Sequence, residues 1–171
     1  MWAPHLFEFN VTSWLLIGVY LLALFACANR VRLEAHAVRF WFFASIVVGL
    51  FLFFRVFNLA EIATLAGRCD ALSGDWYQER RPYQLTVVIM IAVAAMAAAI
   101  LAIMRLKGLD RKTAGAALSA LAFLLAVKSI SFHALDSFMG LRLFSGHMNG
   151  AIEAGLLALL IFAALNPKRR Y

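Results

Sequence analysis

Charge and cysteine are both scarce in this chain, and several familiar motifs are missing from it altogether. Only 15% of its 171 residues are charged, against about 25% in an ordinary soluble domain. Long blocks contain no charge at all, which excludes a water-facing surface along them. The two cysteines, Cys27 and Cys69, fall at opposite ends of their apolar blocks, which argues against an internal disulfide. No Lys or Arg precedes the first apolar block. The basic leader of a cleaved signal peptide is therefore lacking, and the start is expected to be retained. There is no glycine-rich phosphate loop and no Gly-x-Ser-x-Gly nucleophile elbow. Ser129, His133 and Asp136 sit on one helix and cannot aim at each other in series as a catalytic triad must. No motif assigns a catalytic residue.

What remains is apolar. Hydrophobic residues make up 64% of the chain and its mean hydropathy is +0.85, well above the roughly 45–50% of soluble domains. The excess comes in five blocks, at about 11–28, 40–60, 85–104, 114–132 and 150–165. A block of about 20 apolar residues crosses a bilayer as a helix. None alternates as a barrel strand does, and helices and closed barrels are the only structures that satisfy every backbone group in lipid. The expected fold is an all-α integral membrane protein: one domain over 1–171, a bundle of five transmembrane helices, multi-pass in a bacterial inner membrane.

The formal charge is +7. Its placement speaks for topology and against nucleic acid as a partner. Basic residues group at Arg30, Arg32 and Arg39, at Arg105, Lys107, Arg111 and Lys112, and at Lys168, Arg169 and Arg170. Those are the 1–2 loop, the 3–4 loop and the C-terminal tail, and cytoplasmic loops are the basic ones. The N-terminus is then outside and the C-terminus cytoplasmic.

Finer features follow from local pattern. Ile62, Leu65, Ala66, Cys69 and Leu72 continue a helical period, so helix 2 is expected to project to about Leu72. Asp75 suits an N-cap, with Gln78 in the capping-box position. Pro82 suits the first turn of helix 3. Trp76 and Tyr77 suit a membrane interface. Helix 3 is rich in small residues such as Ala92, Ala95 and Ala99, which suits close helix packing. The aromatic run from Phe40 to Phe57 surrounds helix 2 on all sides.

The functional hint is a one-sided polar cluster. Helix 2 carries Arg55, Asn58 and Glu61 at its outer end. Helix 4 carries Lys128, Ser129, His133 and Asp136, and helix 5 brings His147, Asn149 and Glu153. His5 and Glu8 fall on the same side. Ionisable residues inside spans are costly, face the bundle interior and mark function by default. One reading is a register-fixing network of ion pairs. A second is a metal site, in which His133, Asp136, His147 and Glu153 hold a divalent metal ion with nitrogen and oxygen donors. Against it, no Glu-x-x-His or His-Glu-x-x-His motif is present. A third is a proton or ligand pocket, in which Asp136, Glu153 and His133 relay protons or Arg55 and Lys128 hold an anionic or quinone-like headgroup. Bis-histidine haem is disfavoured, because His36 and His133 fall at opposite depths. The resulting expectation is an inner-membrane protein with an outward-facing polar pocket between helices 2, 4 and 5, binding a metal, proton or small ligand. The alternative is a non-catalytic accessory or scaffold subunit of a larger membrane complex. The expected partners are the lipid bilayer and, in that alternative, other membrane subunits.

Overall fold

The computed structural model describes residues 11–34, 37–59, 62, 80–130, 142–143 and 146–166. Among them are five α-helices: α1 (Val11–Leu33), α2 (Val38–Val56), α3 (Arg80–Arg105), α4 (Leu109–Ile130) and α5 (Met148–Leu165). The described β-structure is one minimal antiparallel pair, β1 (Arg142–Leu143) and β2 (Gly146–His147), in which Arg142 faces His147. Stretches within α1, α2 and α3 are long and apolar enough to cross a membrane, and Gly150–Leu165 is a shorter apolar helix. The 22 residues of α4 are long enough, but Asp110, Arg111, Lys112 and Lys128 lower its hydropathy.

Four helices build the core. α1 packs on α2 and α5, α4 packs on α5, and α2 touches α4. Each presents one seam. On α1 the buried residues are Leu16, Tyr20, Ala23, Ala26, Cys27 and Arg30, recurring at intervals of three or four and so lining one stripe. α5 buries Glu153, Leu157, Leu160 and Ala164, and α2 buries Trp41, Ala44 and Val48. The seams are narrow and alanine-rich, which lets the helices come close. Large apolar residues such as Leu22, Phe25, Phe43 and Phe54 point away from the core and stay exposed.

α3 lies outside this core and rests chiefly on α4. The sequence suggested a packing element. Its packing is against α4, and Val88 is its one buried side chain among those described. One close approach lies near the start of α4. A Cβ added at Gly115 would meet Ala102 Cβ at 2.7 Å and Leu106 Cδ1 at 3.0 Å.

Several boundaries differ from the sequence pattern. α1 runs five residues beyond Ala28, so Arg30 and Arg32 are helical rather than loop residues. α2 stops at Val56, short of the expected residue 60. Asn58 adopts φ 47, a left-handed conformation that Asn tolerates better than most residues. Its N–H reaches back only three residues, to Arg55 O at 3.3 Å, the tightened last turn of an ending helix. Ile62 N–H then donates to Asn58 O, so a helical turn resumes. The proposed extension to Leu72, Cys69, the Asp75 cap, and Trp76 and Tyr77 lie outside the described residues. α3 begins at Arg80, which puts Pro82 in its first turn as expected. α4 begins five residues earlier than its apolar block.

The helices alternate in direction. Thr12 and Leu16 of α1 meet Gly150 of α5, so these two run in parallel, while Arg30 of α1 reaches Asp110 of α4. The end where α1 and α5 start is called upper below, and the other end lower.

Candidate functional site

Glu153 sits on the seam of α5, one turn above Leu157, and its side chain has no solvent exposure. A carboxylate so placed costs several kcal/mol in desolvation unless other groups answer it. Three do so, from three other helices. Tyr20 of α1 donates its hydroxyl to Glu153 Oε1 at 2.9 Å. Arg55 of α2 brings Nη1 to 3.9 Å from Oε2, and Lys128 of α4 brings Nζ to 3.8 Å from the same oxygen. Arg55 also donates from Nη2 to Ser13 Oγ at 3.5 Å.

The geometry around the two oxygens is unequal. Oε1 accepts a short hydrogen bond. Oε2 lies at ion-pair distance from two cations yet has no hydrogen-bond partner among the described residues, since 3.8 Å is beyond hydrogen-bond reach. The two cations are also less deeply placed than the carboxylate: Arg55 is 18% and Lys128 28% exposed. Among the described residues here, two positive charges face one negative charge.

Of the residues singled out from sequence, Arg55, Lys128 and Glu153 are brought together. Asn58 is half-buried one turn beyond Arg55. Ser129, His147 and Asn149 belong to described backbone, in α4, β2 and α5, but their side chains are not among those described. Glu61, His133 and Asp136, and the flanking His5 and Glu8, lie outside the described residues. The metal set therefore retains one described side chain, Glu153, and that one is flanked by cations that would repel a metal ion. Among the described residues no group of three metal-capable side chains occurs.

Two contributors escaped the sequence reading. Tyr20 and Ser13 bring α1 into a site assigned to helices 2, 4 and 5. The signal was available: Tyr20 falls in phase with Leu16, Ala23 and Cys27, so its hydroxyl had to be buried with the seam, and buried tyrosine hydroxyls find partners.

A second polar cluster lies at the lower end. Arg30 is 3% exposed. Its Nη2 donates to Glu34 Oε1 at 2.9 Å and to Asp110 Oδ2 at 3.4 Å. Its guanidinium carbon stands 5.7 Å from the centroid of the Trp41 ring, within cation–π range. Trp41 in turn donates from Nε1 to Glu34 Oε2 at 3.0 Å. Arg30, grouped with the loop charges from its sequence position, is thus an internal tie between α1, α2 and α4. No protein-family model, curated protein or solved structure matches this chain.

Proposed function

We propose that this chain is a five-span integral membrane protein, N-terminus outside and C-terminus cytoplasmic, whose outer end binds a small anionic ligand at Arg55 and Lys128. Glu153 is the fixed counter-charge that holds the two cations in place. The carrying observation is the excess of cations among the described residues: Arg55 and Lys128, both partly accessible, share the single carboxylate of Glu153 at 3.9 and 3.8 Å. Unbalanced charge within a bilayer is expensive, and a monoanion between Arg55 and Lys128 neutralises the described groups. The helix lengths, the exposed apolar faces and the uneven distribution of basic residues support the membrane placement.

The test uses the purified chain in mild detergent at constant ionic strength. Phosphate, acetate, succinate and chloride are each titrated while the unfolding temperature is followed. At least one should raise it saturably. The rise should disappear in Arg55→Gln and Lys128→Gln and persist in the exposed control Arg105→Gln. If none of the four anions produces a saturable rise, the cluster is a structural network completed by the chain's own acids, such as Glu61 and Asp136.

One observation favours the accessory-subunit reading as a second. Ala92, Ala95, Met96 and Ala99 of α3 and Ala116, Ser119, Ala120 and Phe123 of α4 line a shallow apolar groove. Small residues of this kind let another helix approach closely. A mild-detergent pull-down that yields a stoichiometric partner, lost on Ala95→Leu, would support it.

A further inference from the structure

The chain has nine acidic residues. Two of them, Glu34 and Asp110, belong to the lower end, and both are turned onto Arg30. The others precede α1, lie in the connections that leave and re-enter at the upper helix ends, or, as Glu153, line the niche. Arg30 thus pairs with both of these carboxylates and offsets their charge, Asp110 at 10% exposure and Glu34 at 29%. Arg32, Arg39, Arg105 and Lys107 are all exposed there, and none forms an ion pair among the described residues. They come from four places in the chain: the last turn of α1, the first of α2, the end of α3 and the turn before α4.

Their neighbours are as informative as their charge. Arg32 adjoins Leu33, Arg39 adjoins Val38 and Arg105 adjoins Met104, while Leu109 follows Lys107 by two residues. These apolar residues are 68%, 38%, 75% and 59% exposed respectively. A surface that met an acidic protein or a nucleic acid in water would have no use for bare leucine, methionine and valine at the same helix ends as its cations. A boundary between acyl chains and charged headgroups needs both, at one depth.

We infer that the lower rim of the bundle binds anionic phospholipid headgroups through Arg32, Arg39, Arg105 and Lys107, with Arg30 neutralising Glu34 and Asp110 so that, among the described residues, no unpaired carboxylate opposes the lipid. The inference rests on the membrane placement proposed above and is independent of the anion niche. It assigns Arg30 a second consequence besides joining helices: it sets the sign of the surface around it.

The experiment measures lipid selectivity at the protein surface. The full chain is reconstituted in phosphatidylcholine bilayers, and spin-labelled phosphatidylglycerol is compared with spin-labelled phosphatidylcholine for its relative association constant. Phosphatidylglycerol should be preferred by at least about twofold, since each basic residue near an anionic surface contributes measurably. The preference should fall to near unity in R32Q/R39Q/R105Q/K107Q. It should also fall in the unaltered chain at molar salt, where the screening length is about 3 Å, which covers the case of a variant that does not fold. A ratio of one in the unaltered chain, or a preference that survives both treatments, overturns the assignment. Alkaline carbonate extraction reads the underlying placement separately. Release from the membrane overturns both proposals, whereas retention without selectivity overturns only this one.

Discussion

Tyr20 and Glu153 stand 133 positions apart in the chain, yet they share a buried hydrogen bond of 2.9 Å that ties the first helix to the last. The bond satisfies the phenol and one carboxylate oxygen at the same time. Tyr20→Phe keeps the ring and removes only the donor. Hydrogen bonds to charged groups contribute about 1.5–3 kcal/mol, so the variant should unfold more easily by an amount in that range. Thermal unfolding in a fixed detergent measures it. An unchanged midpoint would mean that Glu153 finds another donor when Tyr20 is absent.

Glu153 should behave as a hub and not as one partner of a single pair. Its removal leaves Arg55 and Lys128 facing each other without the charge between them. Breaking a buried pair by deleting one member costs about 3–5 kcal/mol, whereas removing both members is often far milder. Glu153→Gln should therefore be strongly destabilising, and Glu153→Gln with Lys128→Gln less so than the sum of the two single changes. A double-mutant cycle on unfolding free energy reads this coupling. Additive effects would separate Lys128 from the carboxylate.

The helical class was legible because hydropathy is a property of blocks, and blocks survive errors at their edges. The cluster of Arg55, Lys128 and Glu153 was legible because charge in an apolar block has so few tolerable places. Helix ends were not legible in the same way. α2 stops where Asn58 turns left-handed, although Leu59, Ala60 and Ile62 keep the apolar period going. Arg30 shows the other failure. A basic residue near the end of an apolar block looks like a loop charge, and only the packing of α1 against α2 and α4 reveals that the helix continues and buries it. Tyr20 was hidden by its ring, which counts as apolar in composition while its hydroxyl carries the contact.

At the lower end, the Arg30 tie predicts a failure of conservative exchange. Arg30 uses Nη2 for two carboxylates and stands near the Trp41 ring within cation–π range. Lysine offers a point charge without that planar fork. Arg30→Lys should recover less than half of the stability lost in Arg30→Ala. Trp41→Phe, which removes the donor to Glu34 Oε2 and retains an aromatic face, should cost about 1 kcal/mol for the bond and more for the lost volume. Thermal midpoints of the three variants in one detergent decide the order. Equal stability of Arg30→Lys and the unaltered chain would show that charge alone holds the tie.

The α3–α4 contact includes a close approach at one glycine. A methyl group at residue 115 would stand 2.7 Å from Ala102 Cβ, closer than such atoms approach, and both positions lie on helix backbones that yield only by moving apart. Overpacking of this kind costs about 1–3 kcal/mol, and here the strain falls on the helix with the least other support. Gly115→Ala should loosen α3 while leaving the four-helix core formed. Hydrogen exchange should rise along 85–105 in the variant, with the core stretches of α1 and α5 protected as before. The compensating change Ala102→Gly removes the opposing methyl, so the double variant should regain most of the protection of α3. Recovery confined to the double variant would identify the crossing itself as the cause. A uniform loss of protection across all five helices would instead show that α3 is integral to the core.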